Sequence, residues 1–175
     1  MRAVYPGSFN PPTIGHIAIV NSAIDHFGIS ELHLAISTVA LGKEELTVPS
    51  VADRVEILRR SLNQIPEAGV LETRKQLIAD IAEGYDLVIL GADKWAQLHD
   101  LSFYKDQEHM AQCLRRLPKL AVAPRNGIAV PQEILLTVPE EINFISSSQV
   151  RRGKFEWMTK EAYEIGKDRG FWGIS

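Results

Sequence analysis

The sequence predicts a doubly wound α/β protein, with a mainly parallel sheet of five or six strands and helices on both faces. Three observations predict it. Short apolar runs of strand length alternate along the chain with longer segments whose apolar residues recur at helical spacing. The run 86–90 (Asp-Leu-Val-Ile-Leu) is almost wholly apolar and stops at Gly91-Ala92-Asp93, as a parallel strand buried on both faces would. At the start, the β-prone Ala3-Val4-Tyr5 passes through Pro6-Gly7 into a helical pattern that begins near Ile14.

Each element follows in order. Ile17, Val20, Ala23, Ile24 and Phe27 form one apolar stripe, and Gly28 is placed to end that helix. Residues 31–37 make the second strand, so the first two strands and the helix between them form a right-handed βαβ unit. A loop at 38–49 carries Gly42 and Lys43. Ser50 then caps a helix, with Asp53 three residues on. Residues 70–72 are a short third strand, 77–82 a helix closed by Gly84, and 86–90 the fourth strand. Residues 95–104 read as a short helix and a ring-rich loop, 107–117 as a helix, and 118–122 as the fifth strand. Two further strands are expected: an edge strand at 134–138, bounded by prolines, and a last short one at 142–145. Ser146-Ser147-Ser148 caps a helix that begins near Gln149, and a final helix at 159–167 leads to the tail Gly170-Phe171-Trp172-Gly173.

The totals suit one domain over 1–175. Hydrophobic residues at 45% and charged residues at 23% are ordinary globular values, and 175 residues can bury a sizeable core. A net charge of −3 gives no footprint for nucleic acid. A single cysteine, Cys113, rules out an intrachain disulfide and fits a reducing compartment; its apolar helical neighbours suggest a buried thiol. No charged-then-apolar leader and no membrane-length apolar run are present, which predicts a soluble cytoplasmic protein without a membrane partner. Internal repeats and linkers are absent.

Two stretches carry chemistry. In 5–16 (Tyr-Pro-Gly-Ser-Phe-Asn-Pro-Pro-Thr-Ile-Gly-His), a turn feeds a helix N-terminus, where free N–H groups and the helix dipole favour an anion. Gly7 lets a ligand approach the backbone, Ser8, Asn10 and Thr13 offer polar side chains, and His16 falls in the first helical turn. In 145–151 (Ile-Ser-Ser-Ser-Gln-Val-Arg), three serines at a helix start and Arg151 within one turn describe a second phosphate cradle. Asp93, at the end of the fourth strand, can accept hydrogen bonds from ribose or base, where Gly91 leaves room. No set of His, Cys or carboxylate residues has metal-ligand spacing, and neither a Gly-x-Ser-x-Gly elbow nor a Walker loop occurs.

The pair Gly-Ser-Phe-Asn-Pro…Thr-x-Gly-His (7–16) and Ile-Ser-Ser-Ser-x-x-Arg (145–151) resembles the signatures of the nucleotidyltransferase superfamily. That superfamily includes the nicotinate and nicotinamide mononucleotide, phosphopantetheine and cytidylyl transferases. The resemblance implies a Rossmann-like fold, with ATP and a phosphate-bearing small molecule as substrates. Mg²⁺ would be delivered with ATP and not held by protein ligands. By that resemblance His16, Arg151 and Lys43 are the catalytic residues. Gly7, Ser8, Phe9, Asn10, Thr13, Gly15, Gly91, Asp93, Arg125, Ser146, Ser147 and Ser148 bind the nucleotide. Lys43, Trp95 and Tyr104 meet the acceptor. The implied reaction is attack by the acceptor phosphate on the α-phosphate of ATP, with release of pyrophosphate.

Gly91-Ala92-Asp93, the aromatic cluster and the Arg125 turn resemble enzymes whose acceptor is a nicotinate or nicotinamide mononucleotide, in NAD biosynthesis. Thr13 and the spacing up to strand four resemble phosphopantetheine adenylyltransferase, and a cytidylyltransferase-like acceptor is a further alternative. A different class also stays open, a nucleotide-binding regulatory module that keeps the cradles without turnover. A homo-oligomer is compatible with all of these.

Overall fold

Parallel strands need crossovers, and the chain supplies a helix between most successive strands. The computed structural model describes residues 1–39, 48–125 and 127–174. Among them run β1 (Arg2–Pro6), α1 (Ile14–Phe27), β2 (Glu31–Ser37), α2 (Val51–Ser61), β3 (Ala68–Thr73), α3 (Ile78–Ile81) and β4 (Leu87–Gly91). There follow α4 (Ala92–Leu98), α5 (Gln107–Arg115), β5 (Lys119–Ala123), α6 (Ser147–Val150) and α7 (Lys160–Arg169). All the sheet pairings are parallel, and the strand order is β3-β2-β1-β4-β5. The order reverses between β1 and β4. A crevice therefore opens beyond their carboxyl ends, where ligands collect in doubly wound sheets.

Alternation within the strands builds two apolar layers. Ala3 and Tyr5 of β1, with Leu34, Ile36 and Ile89, pack under Val20 and Ala23 of α1 and under Val55 and Leu58 of α2. Val4, Val88, Leu90 and Val122 face the other way, onto Ile78, Ile81 and Leu98. A third cluster covers the outer side of α2, where Ile57 meets Val150, Met158, Ala162, Ile165 and Ile174. The C-terminal segment is thus a lining for α2, fixed at its rim by Arg169, which pairs with Asp53 and Glu56 at 2.9 Å each.

Local signals set the helix ends. Thr13 and Ser50 each form a reciprocal capping box with the residue three positions on. Gly28 and Gly170 close α1 and α7 in the left-handed conformation.

Two expected strands are not formed. Residues 134–138 contribute one parallel bridge, Leu135 to Val122, and the Leu136 N–H donates to the Val122 carbonyl at 2.8 Å. Pro131 and Pro139 flank the segment and supply no donors to extend the pairing. Of the stretch expected as a strand at 142–145, residues 142–144 belong to a 3₁₀ turn, Glu140–Phe144, and Ile145 follows it. Ile142 and Ile145 turn toward the crevice. Among the described residues, the sheet has five strands. Among the described residues, no helix is long and apolar enough to cross a membrane.

Gly166 shows how tightly the C-terminal lining is seated. A Cβ there would lie 2.8 Å from Trp172 Cε3 and 2.9 Å from Ile174 Cδ1. Gly166→Ala is expected to cost about 1–3 kcal/mol through overpacking, despite the higher helix propensity of alanine. Urea unfolding measures this, and an unchanged midpoint would contradict it.

Candidate active site

A cleft of about 210 Å³ lies at the switch point. Its walls include Gly7, Ser8, Phe9, Thr13, Gly15 and His16 from the first motif and Gly91 and Asp93 from the end of β4. Arg125 follows β5, and Ser146, Ser147, Ser148 and Arg151 come from the second motif. One cavity therefore holds both His16 and Arg151, 135 residues apart in sequence by their numbers.

The meeting of the two motifs has a simple origin. Residues 10–13 read Asn-Pro-Pro-Thr, and prolines bring carbonyls but no N–H donors. All three carbonyls of 10–12 accept hydrogen bonds from the last third of the chain. The Arg151 guanidinium donates to Asn10 O, Ser147 Oγ donates to Pro11 O at 2.7 Å, and the Thr159 N–H donates to Pro12 O at 3.2 Å. Gly15 completes the junction, because a Cβ there would meet Ile145 Cγ2 at 3.1 Å. From the other side, Arg54 of α2 donates to the Ser8 carbonyl at 3.1 Å.

His16 is half-buried and its protonation is set by its neighbours. The Thr13 N–H donates to His16 Nδ1 at 3.0 Å, while Thr13 Oγ1 accepts from the His16 N–H at 3.3 Å. An Nδ1 that accepts is unprotonated, so the neutral ring carries its hydrogen on Nε2. Burial, and next the charge of Arg125, push the imidazole down to about 4 from an ordinary 6.5. The ring is thus a neutral donor at physiological pH. Phe9 packs edge-on against it with centroids 5.0 Å apart, and Tyr5 packs on Phe9 at 5.3 Å.

Phe9 adopts φ 45°, a conformation that bulky side chains seldom take, and its ring is almost fully buried. Gly7 accommodates that ring, since a Cβ would stand 2.8 Å from Phe9 Cζ. Its smallness serves this packing, and its backbone stands in the cleft wall where the sequence suggested close approach by a ligand. Gly91 differs. A Cβ on it would meet nothing within 4 Å, at the mouth of the cleft. Beside it Asp93 forms an ion pair with Arg125, which also donates to the Ile145 carbonyl at 3.4 Å.

Several predicted residues lie elsewhere. Asn10 is 1% exposed and does not border the cleft; its side-chain oxygen accepts from Trp172 Nε1 at 2.7 Å. Thr13 reaches the wall, yet its hydroxyl is spent on the helix cap and on His16, so it positions the imidazole. Trp95 packs into the apolar layer beside β4 and against His99, with centroids 4.4 Å apart. The Tyr104 hydroxyl donates to the Leu98 carbonyl at 3.0 Å, away from the cleft. Lys43 lies outside the described residues. Sequence reasoning passed over Tyr5, Lys94, Ile142 and Asn143 as cleft residues. Strand alternation around Tyr5, one position before the Pro-Gly turn, was the signal available for the first of them. Asn143 Oδ1 is buried without a partner among the described residues. Among the described residues, no group of three or more His, Cys, Asp or Glu side chains could hold a metal ion.

A parallel sheet in the order 3-2-1-4-5, with its polar cleft at the strand reversal, defines a Rossmann-like α/β protein. The chain belongs to the cytidylyltransferase-like family, whose model matches residues 4–153. It is 30% identical over 162 residues to a probable nicotinate-nucleotide adenylyltransferase of Sulfurimonas denitrificans, covering 85% of this chain and 82% of that one. It is 25% identical over 167 residues to phosphopantetheine adenylyltransferase of Thermotoga neapolitana, covering 92% and 91%. In fold it is similar to Plasmodium falciparum nicotinic acid mononucleotide adenylyltransferase complexed with NaAD. That match has a TM-score of 0.70 at 15% identity and covers 99% of this chain and 98% of that one.

The His16 assignment is open to direct measurement. In free protein, long-range ¹⁵N–¹H NMR is expected to show the Nε2-protonated tautomer, with titration near 4. Arg125→Met removes a positive neighbour and is expected to raise that value. The folded pKa is depressed, so this group's contribution to stability is full above about 6.5 and is lost as pH falls through that value toward 4. An imidazole titrating at or above 6.5 would overturn the assignment.

Proposed function

We propose that this protein transfers AMP from ATP to the phosphate of a nicotinate or nicotinamide mononucleotide-type acceptor and releases pyrophosphate. The observation that carries the reading is the presence of His16 and Arg151 in the wall of one cleft. An acceptor phosphate oxygen attacks the α-phosphorus in line. The new P–O bond forms as the bond to the α,β-bridging oxygen breaks, and pyrophosphate leaves with that oxygen. A phosphate monoester is already a competent nucleophile, so the chain needs no general base, and its task is positioning and charge stabilisation.

Neutral His16 donates from Nε2 to an α-phosphoryl oxygen as charge builds there, without having to lose a proton afterwards. Arg151 uses one N–H on Asn10 O and keeps others for the β- and γ-phosphates. Ser146 and Ser148 stand beside it, and Ser147 fixes the cradle through Pro11. Gly91 leaves space for the nucleoside, and the Asp93–Arg125 pair offers a carboxylate to ribose hydroxyls. ATP would bring its Mg²⁺ already held by phosphate oxygens and water, and the only carboxylate among the described lining residues, Asp93, is paired with Arg125.

A phosphopantetheine-type acceptor is the second reading. It is favoured by the placement of Trp95 and Tyr104 away from the cleft, which removes two rings that a pyridine acceptor could stack on.

Offering ATP and Mg²⁺ with nicotinate mononucleotide, nicotinamide mononucleotide and phosphopantetheine separately decides between them. Pyrophosphate release with a mononucleotide is expected. Release with phosphopantetheine alone selects the second reading, and ATP binding without release in any mixture makes the protein a non-catalytic nucleotide binder. His16→Ala is expected to lower kcat by about 10²–10³-fold with folding intact, as loss of a preorganised donor does. Near wild-type single-turnover rates would remove His16 from the chemistry.

A further inference from the structure

We infer that the C-terminal turn holds the phosphate-binding loop in shape through Trp172, which makes Trp172 a positioning residue for the site proposed above. The inference rests on that reading. Trp172 does not border the cleft; it acts through Asn10. Its indole N–H donates to Asn10 Oδ1 at 2.7 Å across 162 residues of sequence. Asn10 in turn offers its backbone carbonyl to Arg151. One residue of the loop is thereby gripped from two sides, by the tail and by the cation assigned to the triphosphate.

Three further observations show that this contact is built and not incidental. Asn10 buries its Nδ2 with no partner among the described residues, so the bond from Trp172 orients its carboxamide at the expense of an unpaired donor. Trp172 sits at φ 56°, ψ 16°, a left-handed conformation that bulky residues rarely adopt unless the surroundings enforce it. Those surroundings are present. Its ring covers Gly166, within 2.8 Å of where a Cβ would be, and Ile174 anchors the tail beyond it at 7% exposure.

The loop between Phe9 and Thr13 carries no regular structure of its own, and its two prolines cannot donate hydrogen bonds. Its position is imposed from outside. With the indole N–H removed, the Asn10 carboxamide is left buried and wholly unpaired, and the carbonyl that orients Arg151 loses its fixed place. The nucleotide side of the reaction should suffer first.

The test compares wild type with Trp172→Phe, which keeps an aromatic ring and deletes the donor. Melting by circular dichroism reports folding, calorimetric titration with α,β-methylene-ATP reports binding, and pyrophosphate assays give kcat and the KM for ATP. The expected result is a cooperative fold with analogue binding weakened about tenfold, the loss expected for one buried hydrogen bond. The KM for ATP rises with it, and kcat changes less. Asn10→Ala removes the acceptor and keeps the indole; it should give the same readings, and the double variant should lose little more than either single one. Trp172→Phe and Asn10→Ala proteins that bind the analogue like wild type overturn the inference, as do variants that both fail to fold. A wild type that binds the analogue but never releases pyrophosphate sinks AMP transfer alone, since the binding comparison still judges Trp172. A wild type that does not bind it sinks both.

Discussion

The structure depends on three backbone carbonyls that have no local donors. Asn10, Pro11 and Pro12 lie in a turn that cannot satisfy its own acceptors, and Arg151, Ser147 and Thr159 come from the far end of the chain to do so. Buried carbonyls left unpaired are costly, so this junction is specified in the same way as a strand register is. It brings the second cradle onto the first. Without it, the sheet would still present a crevice at its switch point, but one lined from a single side.

The same economy governs His16. The reciprocal bonding with Thr13 that starts α1 also fixes the tautomer of the imidazole, so one pair of residues ends a turn and orients a donor. Burial, and next the guanidinium of Arg125, lower the pKa of the ring and favour its neutral form. A cation there would add a further positive charge to a partly desolvated cleft already lined by Arg125 and Arg151. The site instead pairs one neutral donor with arginines at its rim, one of which is already balanced by Asp93.

The central strands were legible because residues buried on both faces leave an unbroken apolar run, as in Leu87–Gly91, and because the capping residues Ser50 and Gly28 act over one turn. The segments at 134–138 and 142–145 were misread as strands for a related reason. They have strand-like apolar residues, yet the first is held between prolines at a sheet edge and the second spends its side chains on the cleft. Aromatic content near 95–104 suggested stacking on a ligand. Trp95 and Tyr104 are instead absorbed by packing and by a helix-end carbonyl, which no pattern in the sequence distinguishes.

By itself the sequence determined what local chemistry can settle: the five strands of the parallel sheet in alternation with helices, though with two strands too many near the C-terminus, and the serine caps of later helices. Tertiary structure alone decided which groups face one another. Gly7 yields to the Phe9 ring, Asn10 turns inward to Trp172, and burial, then Arg125, push the His16 imidazole down to about 4. Hydrogen-bond partners more than a hundred residues apart, and the electrostatic environment they enclose, are properties of the folded chain as a whole, and a short motif cannot encode them.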